Sequence, residues 1–131
     1  MMGRFSLVLT LSLSMIAAGC ARLMCNDAVN SEVRSPDGVL VATWFTRNCG
    51  AMTDYATTVN LHRPDSGFRG DSDTVFVAEG RYALKMKWTG PRRLTIQCDG
   101  CARKQIFRAV TMLGDVDIQV LLPGSTTSVS R

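Results

Sequence analysis

Residues 81–88, RYALKMKW, constrain this chain most: Tyr82, Leu84, Met86 and Trp88 alternate with Ala83, Lys85 and Lys87. Side chains two apart share a face on a β-strand and not on a helix, so this stretch requires a strand with one buried side. The period recurs in RLTIQC (93–98), where Leu94 and Ile96 fall together. VLVATWFTR (39–47) is β-branched and aromatic on both faces, which suits a central strand. Residues 54–62 set Tyr55, Val59 and Leu61 against Ala56, Thr58, Asn60 and His62, and TVFVAEG (74–80) gives a further short strand. After residue 20 no stretch keeps a helical period over three turns.

Turn signals separate these runs. SPDG (35–38) has Pro at the second and Gly at the fourth position of a type I turn, so it predicts a hairpin between the preceding strand and 39–47. RPDSGFRGDSD (63–73) is a loop on composition. Around Gly114-Asp115 a second hairpin is expected, with Leu113 opposite Val116, Thr111 opposite Ile118, Ala109 opposite Val120 and Phe107 opposite Leu122. Together these predict an all-β domain, a small antiparallel sandwich or partly open barrel of seven to eight strands.

The N-terminus bears on where the chain works. MMGRFSLVLTLSLSMIAAGC carries Arg4, an apolar run over 5–18 and small residues at its end. The run is too short to span a bilayer core of about 30 Å with margin, so it reads as a cleaved secretory signal over 1–19. The closing Ala17-Ala18-Gly19-Cys20 resembles the lipobox of bacterial lipoproteins, which implies acylation of Cys20, a lipidated tether over 20–24, a β-domain over 25–122 and a disordered polar tail over 123–131. Ordinary cleavage after Ala21 is the alternative. About 110 residues then remain, enough for one core. Without Arg4 the mature chain carries 14 basic against 11 acidic residues, including Arg92, Arg93, Arg103, Lys104 and Arg108. Aromatics do not interleave with these bases, so nucleic acid is not an expected partner, whereas anionic headgroups are compatible with them.

Four cysteines follow Cys20, and export favours their oxidation. Cys25 precedes the first strand and Cys49 ends the second, so a hairpin brings them together. Cys98-Asp99-Gly100-Cys101 permits a staple, a redox pair or half a metal site. A strand precedes it and no helix follows to stabilise a thiolate, and Asp-Gly is a favoured type I′ turn pair, so Cys98–Cys101 is expected as a structural disulfide. In the hairpin this implies, however, Arg103 and Gln105 would face Ile96 and Leu94, so it must fray or bulge.

The chain offers little to catalysis. His62 is the only histidine, no nucleophile signature accompanies it, and an exposed or half-buried strand position is expected for it. Asp71 and Asp73 lack the further oxygens of a calcium loop, and Met24, Met52, Met86 and Met112 are scattered as core fillers are. No catalytic residue, metal or cofactor is expected.

Residues 25–61 show Cys25-Asn26-Asp27, then Ser35-Pro36-Asp37-Gly38, then Cys49-Gly50-Ala51-Met52-Thr53, with MKWTGPRRLTIQC following. This resembles a family of small, functionally uncharacterised bacterial lipoproteins, from which Met52 departs where threonine is usual. The resemblance implies an exported β-domain and supplies no catalytic residues. The expectation is a non-enzymatic binding or structural module of the cell envelope. It would be held by an N-terminal lipid, facing the periplasm from the outer membrane, with a protein partner met through a strand face, a sheet edge or the 63–73 loop. The alternatives are an inhibitor or immunity-type protein that blocks an envelope enzyme, and a thiol–disulfide exchanger using Cys98 and Cys101.

Overall fold

The first hairpin follows from its turn. Pro36 presets the backbone, Gly38 takes φ 72°, and the Gly38 N–H donates to the Ser35 carbonyl at 2.9 Å. The Ser35 hydroxyl also donates to Asp37 (2.7 Å) and accepts from the Leu40 N–H (3.1 Å). The chain thereby reverses, and Asn26–Arg34 (β1) lies antiparallel to Val41–Asn48 (β2). The register carries Asn26 to Asn48, and the Cys25–Cys49 disulfide closes the open end.

The structure is a computed structural model that describes residues 25–67 and 73–124. The expected signal 1–19, the tether with Cys20, Met24, Asp71 and the tail beyond Gly124 lie outside the described residues. Beyond β2 come Ala56–His62 (β3), Thr74–Glu79 (β4), Lys85–Gly90 (β5), Arg93–Gln97 (β6), Ile106–Ala109 (β7), Met112–Leu113 (β8) and Val116–Leu121 (β9), with one 3-10 turn at Arg103–Gln105. They form a five-stranded sheet, β1-β2-β3-β4-β7, and a four-stranded sheet, β5-β6-β9-β8. The all-β, disulfide-stapled sandwich expected from alternation is therefore the fold, with nine strands among the described residues because the two-residue β8 separates from β7.

Period two decides what the sheets bury. Ala42, Val59, Leu61, Phe76 and Ala78 face Leu94, Ile96, Ile118 and Val120 across one core; Leu84 joins it and Tyr82, Met86 and Trp88 pack against it, although the strand expected over 81–88 begins only at Lys85, so Tyr82 and Leu84 reach the core from the segment ahead of β5. Phe76, Leu94 and Ile96 are fully buried, each worth roughly 1.5–3 kcal/mol of transfer free energy. Two polar contacts hold the layers in register. The Trp88 indole N–H donates to the Val33 carbonyl at 3.0 Å, so the second sheet is tied to β1. Where the chain crosses between sheets, the buried Thr57 hydroxyl donates to the Gly80 carbonyl (2.8 Å) and accepts from the Tyr82 N–H (3.0 Å). Gly80 is required there: φ is 111° and a Cβ would meet the Tyr82 ring at 3.0 Å.

Pairing after residue 98 differs from the sequence expectation. Neither Asp99 nor Gly100 has a positive φ, so no type I′ turn forms and no strand folds back on β6. A hairpin would have set Arg103 and Gln105 over Ile96 and Leu94. The chain instead makes its 3-10 turn and crosses to the first sheet, where Ile106 pairs with Ala78 and Ala109 with Phe76. This frees β6 to take β9 as a parallel neighbour, Leu94 beside Ile118 and Ile96 beside Val120, so one parallel pair interrupts an otherwise antiparallel fold. The Gly114-Asp115 hairpin survives only near its turn. Leu113 pairs with Val116 and the Thr111 carbonyl accepts the Ile118 N–H, but Ala109 and Phe107 belong to β7 and do not meet Val120 and Leu122. Phe107, expected inward, is the extra residue of a bulge and is 70% exposed.

Candidate functional site

The strand registers give the sandwich two distinct ends. At the stapled end lie Cys25–Cys49, the β2–β3 turn with Met52, the β4–β5 crossing at Gly80, and the Cys98–Cys101 turn, whose Gly100 abuts the Tyr82 ring. At the opposite end lie the turns at 35–38, 91–92 and 114–115 and the start of the loop after β3.

Arg92 locks three turns of that opposite end together. Its guanidinium donates to Asp37 at 3.0 Å and to Asp115 at 3.1 Å, and also to the Pro91 carbonyl at 2.8 Å. Asp115, and after it Asp37, raise the Arg92 pKa further above its ordinary value. The Ser35 hydroxyl, the Val39 N–H and Arg92 hold the Asp37 carboxyl below the usual carboxylate range.

Beside this clamp a groove of about 280 Å³ opens between the sheets. Leu40, Leu61, Leu113 and Val116 give it apolar walls, while Arg63, Asp73 and Asp115 supply charge of both signs. Leu40 comes from the residue just ahead of β2 and Leu61 from β3, the β8–β9 hairpin delivers Leu113, Asp115 and Val116, and the turn at 63–66 places Arg63 and Ser66. That turn is held by the Ser66 N–H and hydroxyl, both donating to the Arg63 carbonyl. The groove is smaller than the usual range for drug-sized ligands, and fits a single large side chain.

His62 lines the groove and is 8% exposed, not the exposed or half-buried residue expected. Its Nδ1 faces the Arg63 carbonyl at 2.8 Å, so Nδ1 carries a proton. Its Nε2 meets the Thr43 hydroxyl at 2.7 Å, and Thr43 Oγ1 also lies 3.3 Å from Glu32 Oε1. With a neutral imidazole the single hydroxyl proton goes to Nε2. Thr43 is wholly buried, so this Glu32–Thr43–His62 row presents no nucleophile to solvent. The row continues across β3 and β4, where the Thr74 hydroxyl donates to Asn60 at 2.8 Å. Buried polar groups here are paired across strands, which fixes register on the outer face of the larger sheet.

The C-x-x-C motif is closed as a disulfide. Cys98 and Cys101 are disulfide-bonded, 0% and 4% exposed, and belong to the hydrophobic core. Asp99, between them, is held below the ordinary carboxylate range by the Gln97 amide and then by Lys85. Among the described residues no three metal-ligating side chains come together, and Asp73 serves the fold through its carbonyl, which accepts the Leu61 N–H at 2.9 Å.

Sequence reasoning placed the four cysteines and the core face, and missed Thr43, Arg92 and the groove. Arg92 could have been noticed as a turn cation across from the acidic S-P-D-G turn. Thr43 carries no signal, since a threonine in a central strand is ordinary. Comparison with protein-family models, curated proteins and solved structures finds no match to this chain.

Proposed function

We propose that the chain is a lipid-tethered, non-catalytic binding module of the cell envelope, which takes an apolar side chain of a protein partner into the groove between Leu40, Leu61, Leu113 and Val116. The observation that carries this reading is the position of the groove: it opens at the end opposite Cys25, five residues beyond the cysteine that resembles a lipidation site. Eight steps along β1 at about 3.3 Å put the groove about 26 Å from the staple, on the side facing away from an N-terminal anchor. An apolar pocket with a charged margin is the form that a protein-interface anchor site takes. The burial of Thr43, and of both sulfurs of Cys98–Cys101, supports a binding role over hydrolysis or thiol exchange. Likeness to small bacterial lipoproteins supports the envelope setting.

The test is affinity capture from detergent-solubilised envelopes with the wild-type protein and with Leu113→Asp, which puts a charge into the groove wall at a residue that also packs against the core, so that retained folding of the variant is established first by its thermal melt. A stoichiometric partner retained by the wild type and lost from the variant is the expected result. Equal retention by both would overturn the groove as the docking site. An envelope enzyme among the captured proteins, inhibited one-to-one, would identify the module as an inhibitor.

A further inference from the structure

The stapled end differs from the groove end in charge and exposes more apolar side chains, Met52, Phe107, Val29 and Tyr55 against Met112 and Val39. Taking the two halves of the strand registers separately, the described residues of the stapled half carry seven basic and four acidic side chains (Asp27, Asp54, Glu79 and Asp99). The groove half carries four basic side chains, Arg34, Arg63, Arg92 and Arg93, against six acidic ones. Three of the seven bases are engaged: Arg47 pairs with Asp27 at 2.8 Å, Lys85 lies 3.4 Å from Asp99, and Arg81 lies over the Tyr55 ring at 4.8 Å. That leaves Lys87, Arg103, Lys104 and Arg108 without an acidic partner among the described residues.

The same half carries apolar side chains that the core does not use. Met52 stands 98% exposed at the tip of the β2–β3 turn, and the bulge in β7 throws Phe107 out to 70% exposure between Lys104 and Arg108. Tyr55 is 41% exposed beneath Arg81. The bulge lets Ile106 and Ala109, three residues apart, both face the core, and in doing so it turns Phe107 outward beside the basic side chains.

We propose that the stapled end docks on an anionic bilayer, with Arg103, Lys104 and Arg108 meeting headgroup phosphates and Met52 and Phe107 entering the headgroup layer. Aromatic and basic side chains together suit that layer, where an apolar body and a charge are both accommodated. The geometry agrees with the 24 residues that precede Cys25, since they join the domain at this end. The proposal rests on the tethered reading in one respect: the anchor would supply the proximity, and docking would convert a leash into an orientation that points the groove away from the lipid.

The mature chain from residue 21, exported behind a non-lipoprotein leader so that both disulfides form and no acyl group is added, allows a direct test. It contains every core residue and both disulfides described above. Co-sedimentation with vesicles containing one quarter phosphatidylglycerol is compared with pure phosphatidylcholine vesicles. Binding to the anionic vesicles only, lost as salt rises to about 0.5 M, is expected. Arg103→Gln with Lys104→Gln should weaken it about 25-fold, at about fivefold per charge, and Phe107→Ser and Met52→Ser should each weaken it further. Arg63→Gln, which removes a charge at the groove end, should change it less than twofold. Equal affinity for both vesicles, no binding to either, or an Arg63→Gln effect as large as that of the Arg103/Lys104 pair would overturn the proposal. Because the chain tested is unacylated, the outcome is independent of whether Cys20 carries lipid; the intact mass of the full-length protein from membranes decides that separately.

Discussion

At the scale of single residues, the buried Thr43 hydroxyl matters more than its ordinary type suggests. It meets His62 Nε2 at 2.7 Å inside the sheet, and Thr43→Val would remove that hydrogen bond while preserving shape. The expected cost is about 0.5–1.5 kcal/mol by chemical denaturation, with Thr43→Ser recovering most of it. Carboxylates of opposite tendency make a second test. The hydrogen bond from Asp54, with burial and the Asp54 charge, raises the Glu79 pKa above its ordinary 4.5. Its contribution to stability is therefore present below 4.5 and lost as pH rises through the raised folded-state value, so at neutral pH the pair is unfavourable. Glu79→Gln should raise the melting temperature at pH 7 and leave it unchanged at pH 3. Asp37 has the reverse sign: its folded pKa lies below 3.8, so its contribution holds above that value and fades as pH falls through the lowered one. Asp37→Asn should lower the melting temperature at pH 7 and not at pH 2. Both groups are at the surface, so both effects should shrink in high salt.

At the scale of elements, the two staples differ in setting and should differ in behaviour. Cys25 is exposed and Cys49 half-buried, whereas Cys98 and Cys101 sit in the core. Graded reduction with alkylation and peptide mapping should therefore open Cys25–Cys49 first, with Cys98–Cys101 protected until the domain unfolds. Chain entropy assigns about 3.5 kcal/mol to the larger loop and about 2 kcal/mol to the smaller. Replacing Cys98 and Cys101 with Ala should cost near that smaller figure, and with Ser more, because two hydroxyls would enter the core. The strands themselves could be read from alternation and turns, and β2 to β6 begin and end within four residues of their expected bounds. What could not be read was pairing after Cys101. Ile106, Phe107 and Ala109 alternate acceptably against either Leu122 and Val120 or Ala78 and Phe76, and period two does not say which sheet a strand joins. The conflict at Arg103 and Gln105 was visible in the sequence, and its resolution by a crossover to the other sheet was not. The groove was hidden for the same reason, since its walls come from both sheets and meet only once that crossover is made.

At the scale of the whole molecule, one topology gives two chemically distinct ends. The strand registers place both disulfides, the Met52 turn and the Phe107 bulge together, and place the Arg92 clamp and the groove about 26 Å away. The clamp keeps the groove walls fixed relative to one another: Arg92→Ala frees the turns that carry Asp37 and Asp115, and should weaken partner capture at the groove more than it lowers thermal stability. The central claim is orientation, a domain standing on its stapled end with the groove held outward. Amide relaxation of the protein as purified from membranes, in bicelles carrying a headgroup-attached gadolinium chelate, tests it most directly. Strong broadening at residues 50–55 and 103–108 with sharp signals at 36–38, 63–66 and 114–116 is the expected pattern. Broadening spread evenly over both ends, or concentrated at 114–116, would contradict it.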